Sequence, residues 1–246
     1  MHKSLSASLG FHEEQAKLPT LFGQVNRKLE EASRKSTHSG SSYFGETISR
    51  LMDIIVATLM IVIIAPLFVL LAFIIWANDR GAPIFTHRRI GRDGRTFPCL
   101  KFRTMVIDAD QRLKSLLASD PVAAREWALN HKLRVDPRIT RLGGFLRKTS
   151  LDELPQLANV IIGHMSLVGP RPIVQSEVNR YGRYFEHYCQ VRPGITGLWQ
   201  VSGRNDVSYR RRVALDTFYA RRKSMKIDLM IIGRTLPAVL LTRGSY

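Results

Sequence analysis

Residues 54–77, IIVATLMIVIIAPLFVLLAFIIWA, carry no charge and would make a helix of about 36 Å, longer than the roughly 30 Å hydrocarbon core of a bilayer. Pro66 sits near the middle, where it removes a backbone hydrogen bond and divides the run into halves of about 18 Å, each reaching only to mid-bilayer. Two geometries follow: a kinked helix that spans the membrane, and a re-entrant helix that enters and leaves by one face. Residues 1–53 hold seven Lys/Arg, and residues 79–103 hold seven against two Asp. Positive flanks stay cytoplasmic and attract anionic lipid, so basic residues on both sides suit a single cytoplasmic face. Kinked spans are common as well, and the residues by themselves leave both geometries open. The run is too long for a signal-peptide core and lacks a small-residue cleavage site, so it is expected to stay in the mature chain.

Around this segment the 246 residues divide into a polar tail, 1–45, expected to be flexible; the membrane segment, 46–80; and about one domain's worth of core-forming chain, 81–246. The formal net charge of +17 favours polyanionic partners: nucleic acid, an anionic leaflet or phosphate-bearing substrates. Cys99 and Cys189 are the only cysteines and lack CxxC spacing, so neither a disulfide framework nor a structural zinc site is indicated. His87, His131, His164 and His187 show no HExxH or other tight ligand spacing.

Immediately downstream, residues 83–105, PIFTHRRIGRDGRTFPCLKFRTM, read as a β-hairpin turning at Asp93-Gly94, a dipeptide suited to positive backbone angles. Alternation along its second strand puts Lys101 and Arg103 on one face, opposite Leu100 and Phe102. Residues 108–131 read as helix, broken at Asp120-Pro121.

The chemistry-bearing stretch is 151–172, LDELPQLANVIIGHMSLVGPRP: an acidic pair, an apolar stretch and a Gly-Pro-Arg-Pro turn. Two parses are open. Ser150 and Glu153 fit a helix capping box, or Pro155 is the first-turn proline of a slightly later helix. In both, Asp152 and Glu153 lie near a helix amino terminus, which by itself is an ordinary cap and also favours phosphate. Adjacent helical residues point about 100° apart, so the two carboxylates suit separate roles, a nucleophile and a metal ligand, better than a shared proton. Arg147 before the pair and Arg171 after it supply the guanidinium groups a phosphate site needs.

Residues 191–205, VRPGITGLWQVSGRN, read as a shaped loop, with Arg204 able to reach a phosphate, Gln200 and Asn205 able to read a base or sugar edge, and Trp199 offering either a stacking face or core packing. Residues 225–241 read as an amphipathic helix that lies on the membrane surface, in the core, or at a homodimer contact.

KFRTM, the run SLDELPQ at 150–156, GPRP at 169–172 and RPGITGLWQVSGRN at 192–205, in this order, resemble the bacterial sugar transferase family, the polyprenyl-phosphate glycosyl-1-phosphate transferases. The short form, with one membrane segment, is most similar to the exopolysaccharide galactosyl-phosphate transferases of rhizobia. The resemblance implies an α+β, mainly helical monotopic membrane protein with a re-entrant helix, a small β-hairpin and a compact cytosolic catalytic domain at the cytoplasmic face of the bacterial inner membrane. It implies transfer of a hexose-1-phosphate, with galactose expected, from a UDP-sugar to undecaprenyl phosphate with release of UMP. Asp152 would be the nucleophile that forms a covalent phosphosugar, and Glu153 the Mg²⁺ ligand. Lys101, Arg103, Arg147 and Arg171, with Pro172 beside it, would cradle the phosphates, and Gln200, Arg204 and Asn205 would complete the donor site. Anionic lipids are expected partners and nucleic acid is not. The competing reading, a membrane-tethered anionic-polymer or nucleic-acid binder, rests on charge alone and lacks a recognisable reading helix. The family's bend is often Ser-Pro, whereas this chain has Ala65-Pro66.

Overall fold

The computed structural model describes residues 43–130, 133–203 and 207–240, so most of the expected flexible tail, together with Arg204 and Asn205, lies outside the described residues. The architecture is mainly helical with two small sheets and one long apolar helix, α1, Tyr43–Asp79. Pro66 falls within α1 and on its exposed side, and helical backbone continues past it. One stripe of α1, Asp53, Ala57, Ile61, Ile64, Phe68, Leu71 and Ile75, faces the domain at helical spacing. Leu59, Val62, Ile63, Val69, Leu70 and Phe73 on its other sides are exposed, a continuous apolar surface of the kind that meets lipid or a partner.

Polar contacts fasten α1 at both ends. Near the start, the Arg50 guanidinium donates to the carbonyls of Val160 and Ile161 at 2.7 and 2.8 Å, capping the end of helix α5 (Gln156–Ile162), and Asp53 accepts from the Leu167 amide at 3.0 Å. At the far end Asp79 pairs with Arg103.

The hairpin forms as its sequence dictates. Strands β1 (Ile84–Ile90) and β2 (Thr96–Phe102) pair antiparallel, and Asp93 and Gly94 take the positive φ values, 58° and 72°. The outer edge of β2 is covered by one buried side chain from α5: Asn159 accepts from the Leu100 amide at 2.9 Å and donates to the Pro98 carbonyl at 2.7 Å. Helices α2 (Ala109–Ser119) and α3 (Pro121–Asn130) follow, divided at Asp120-Pro121 as expected.

Helix α4 (Arg141–Thr149), capped by Thr140, brings Leu146 against Phe102, Leu71 and Ile75, joining the hairpin, the turn at Leu151–Leu154 and α1 in one cluster. Leu146→Ala is expected to cost about 2–5 kcal/mol of unfolding free energy, because a fully enclosed side chain leaves a cavity that three elements would have to collapse to fill; urea melts would register it. The second sheet, β3 (Ser166–Val168) with β4 (Gly194–Thr196), is parallel, and β4 lies inside a stretch the sequence suggests to be loop. Helices α6 (Val178–Tyr181) and α7 (Phe185–Cys189) pack against α8 (Tyr209–Arg222) around Tyr181 and Tyr188. The last described helix, α9 (Met225–Leu240), buries Ile231 while exposing Leu229, Met230 and Ile232, as an amphipathic helix should.

Candidate active site

The acidic pair is not a helix cap. Ser150 ends α4 in the left-handed conformation, its amide bonded to the Arg147 carbonyl, and Leu151–Glu153 form a single 3-10 turn before α5. Ser150 makes no side-chain capping bond, and Pro155, not an acid, occupies the cap position of α5. The capping-box parse therefore gives way to the later-helix parse. Both carboxylates are released from backbone duty and turn toward Lys101 at the end of β2. Its ammonium donates to Glu153 Oε1 at 2.7 Å and stands 3.7 Å from Asp152 Oδ2.

Arg89, Cys99, Lys101, Glu153, Gln156, Arg171, Pro172, Gly194, Ile195 and Gln200 enclose one cleft. Of the expected residues, Lys101, Glu153, Arg171, Pro172 and Gln200 thus meet in one place, with Asp152 beside Lys101. Arg147 stands behind: its Nε donates to Thr104 Oγ1 at 2.9 Å, and its charge acts on Asp152. Arg103 does not join them. Strand alternation ends at Phe102, and the next residue turns back to Asp79 and the Ile75 carbonyl at the end of α1, so Arg103 is a fastening of that long apolar helix. Gln200 is held by its Nε2 donating to the Ile195 carbonyl at 3.1 Å. Trp199 takes the core alternative, buried with the Arg212 guanidinium 3.9 Å from its ring centre, which also draws Arg212 away from solvent.

Five lining residues were not singled out in the sequence: Arg89, Cys99, Gln156, Gly194 and Ile195. The signal for Arg89 was present, since the hairpin register pairs Phe85 with Lys101 and Arg89 with Phe97, placing residues 85, 87 and 89 on the face of 97, 99 and 101. Arg89 donates to the Pro172 carbonyl at 3.3 Å and so ties the Gly-Pro-Arg-Pro turn to the hairpin.

Charge separates the two acids. Burial raises the Asp152 carboxyl above the usual carboxylate range, Lys101 opposes this, the adjacent Glu153 adds to it, and Arg147 and Arg171 oppose it again. At Glu153 burial also pushes upward, but Lys101 and Arg171 outweigh it and hold the carboxyl below its ordinary value. Glu153 is thus the firmly ionised member and Asp152 the more basic one, a better nucleophile once ionised. Burial raises the Cys99 thiol and keeps it neutral despite Lys101 and Arg89.

The donor set fits Mg²⁺: two carboxylates, all oxygen. No three His, Cys, Asp or Glu cluster among the described residues, so the protein alone does not complete a coordination shell, and phosphate oxygens with water would supply the rest, as is usual for this ion.

One long apolar helix beside paired carboxylates among cations suits a transferase of phosphorylated groups, and sequence similarity identifies the family. The profile described as bacterial sugar transferase matches residues 44–242, and the chain belongs to that family. It is 50% identical over 202 residues to the exopolysaccharide production protein ExoY of Sinorhizobium fredii, covering 82% of this chain and 89% of that one. Over 199 residues it is 50% identical to the UDP-galactose-lipid carrier transferase of Erwinia amylovora and 48% identical to the undecaprenyl-phosphate galactose phosphotransferase of Salmonella typhimurium; in both cases the match covers 81% of this chain and 42% of the longer relative.

Proposed function

We propose that this chain is a phosphoglycosyl transferase that moves hexose-1-phosphate from a UDP-hexose to undecaprenyl phosphate, the step that begins assembly of an exopolysaccharide. The observation that carries the reading is the placement of Glu153 in a cleft walled by Arg89, Lys101 and Arg171, with Asp152 next to it and 3.7 Å from the Lys101 ammonium. Galactose is the sugar we assign, from the names of the Erwinia and Salmonella relatives.

In the first half-reaction an Asp152 carboxylate oxygen attacks the sugar-bearing phosphorus, forming an O–P bond as the bond to the UMP phosphate breaks and UMP departs with the electron pair. In the second, a phosphate oxygen of undecaprenyl phosphate attacks the same phosphorus, making the lipid diphosphate sugar and freeing the carboxylate. Arg89, Lys101 and Arg171 offset the charge of the diphosphate, which would otherwise repel the anionic nucleophile. Arg147 steadies Asp152 from behind. Mg²⁺ held by Glu153 would supply further neutralisation of the diphosphate oxygens.

We also assign a monotopic placement on the cytoplasmic face of the inner membrane, with α1 re-entrant rather than spanning. The inward stripe of α1 from Asp53 to Ile75, about 33 Å long, is packed against the domain for its whole length, whereas a spanning helix would carry that stretch away from the domain into hydrocarbon. Tags on both chain termini should then be accessible from the cytoplasm alone, and a periplasmic tag would exclude the re-entrant placement. Anionic lipids suit the basic surface.

The direct test gives purified protein Mg²⁺, undecaprenyl phosphate and a panel of UDP-sugars. UMP release matched by formation of lipid-linked sugar is expected, fastest with UDP-galactose, and no release from any UDP-hexose would refute the reading. The rate should also fall at low pH as Asp152 protonates, with the acid limb of kcat/KM above the ordinary carboxylate range. Lys101→Gln removes the strongest charge holding that carboxyl down and should move the limb to higher pH; an unmoved limb would mean that a group other than Asp152 sets it.

A further inference from the structure

Lys101 occupies the place a cation would take on the acidic pair. Its ammonium is bonded to Glu153 Oε1 at 2.7 Å, with Asp152 Oδ2 at 3.7 Å, and it is held there by strand β2, whose outer edge Asn159 locks. The Glu153 carboxylate makes no other hydrogen bond among the described residues, so its bond to Lys101 is the contact a metal ion would have to replace. Arg171 lies in the same cleft but makes no ion pair with either carboxylate among the described residues.

We propose that Lys101 is a built-in counter-ion that closes the acidic pair to free Mg²⁺, so that the metal enters only together with a nucleoside diphosphate, whose phosphates draw the ammonium off Glu153. The inference rests on the phosphoglycosyl transferase reading for the identity of the diphosphate. It goes beyond that reading by setting the order of events. A divalent ion and an ammonium within a few ångströms of the same carboxylate repel strongly in a half-buried site, so both cannot sit on Glu153 unless added negative charge arrives. A diphosphate brings that charge and offers Lys101 a new acceptor.

Two consequences distinguish Lys101 from an ordinary phosphate-binding lysine. First, both carboxylates already have a cation within 4 Å when metal is absent. Second, removal of Lys101 harms transfer yet improves metal binding to the free protein. A lysine that served the substrate phosphates alone would be silent in the second measurement.

The experiment is a titration of the full-length protein in detergent with Mn²⁺, followed by electron paramagnetic resonance, without nucleotide and then with UDP. Wild-type protein should bind Mn²⁺ weakly without nucleotide and at least about tenfold more tightly with UDP present. Lys101→Gln should bind Mn²⁺ about tenfold or more tightly than wild type without nucleotide, and Lys101→Gln combined with Glu153→Gln should lose that gain. Arg171→Gln removes an equal charge from the same cleft but frees no ligand, so its gain should be clearly smaller. Equal tightening by Arg171→Gln would reduce the effect to general charge and overturn the proposal. So would wild-type binding as tight as that of Lys101→Gln without nucleotide. Thermal melts of each variant in Mg²⁺-free buffer identify any that fail to fold, and Lys101→Met serves as the second neutral replacement. Failure of sugar transfer with every UDP-sugar would instead sink the functional reading and leave the metal titration to be judged by itself.

Discussion

Asp152→Asn is expected to abolish transfer, lowering kcat by about four orders of magnitude or more, while leaving the protein folded and at neutral pH no less stable than wild type. The loss follows from chemistry: an amide oxygen at this position is a poor nucleophile toward phosphorus and cannot yield the acyl phosphate on which both half-reactions depend. The retained stability follows from linkage. Burial raises the Asp152 carboxyl in the folded state, so the folded protein holds this proton more tightly than the unfolded chain. Stability contributed by this group is therefore full below its unfolded value and is lost as pH rises through the raised folded value, which leaves ionised Asp152 a cost at neutral pH. The neutral amide removes that cost. UMP release and a thermal melt on the same preparation check both halves, and a variant that lost activity together with several degrees of melting temperature would point to a structural aspartate instead. Glu153→Gln should differ, since Glu153 is held below its ordinary range and pairs with Lys101. Its ionised form contributes stability above its unfolded value that is lost as pH falls through the folded one, so at neutral pH its removal should lower the melting temperature.

Features written locally were legible in the sequence. The absence of charge over 54–77 fixes a lipid-compatible helix, Asp93-Gly94 fixes the hairpin and its register, and Asp120-Pro121 divides α2 from α3. The acidic pair, Arg171 and Gln200 stand out because each lies in a stretch with its own punctuation, whereas Lys101 joins them through the family resemblance. What was not legible depends on partners far along the chain. Arg103 shares the alternation of Lys101 but follows Asp79, 24 residues earlier, because the strand stops one residue short of it. Asn159 reads as an interruption in an apolar helix, and only the hairpin 61 residues before it supplies the backbone groups it satisfies. Ser150 satisfies the pattern of an amino-terminal cap, but α4 reaches it first and uses it as a terminus. The parallel pairing of β3 with β4 is three residues long on each side, too short for any periodicity, and the sequence around Gly194 accordingly resembles a loop.

That pairing underlies the second large effect. Gly194→Ala is expected to destabilise the protein by about 3 kcal/mol or more and to cut kcat/KM with it. A Cβ at Gly194 would lie 2.0 Å from the Gly169 amide nitrogen, 2.5 Å from the Thr196 carbonyl oxygen and 2.6 Å from the Val168 carbonyl carbon. All three are backbone atoms, which have no rotamer by which to withdraw, so the crossing chains must part. Parting them strains the bonds from Gly169 N to Thr196 O and from Gly194 N to Pro170 O, both 2.9 Å, on the chain that carries Arg171 two residues later. Arg171 and Pro172 would shift against Arg89 and Lys101, and the cleft would lose its fit to the diphosphate. Gly144→Ala provides the contrast. It lies on the exposed side of α4, where a Cβ meets nothing within 4 Å, and the substitution should be neutral or stabilise by up to about 1 kcal/mol because alanine restricts the unfolded chain. Chemical denaturation of both variants beside wild type makes the comparison. A Gly194→Ala protein as stable and as active as Gly144→Ala would mean that residues 194–196 and 166–168 do not cross this closely in solution, and with that the position assigned to Arg171 in the cleft would fall.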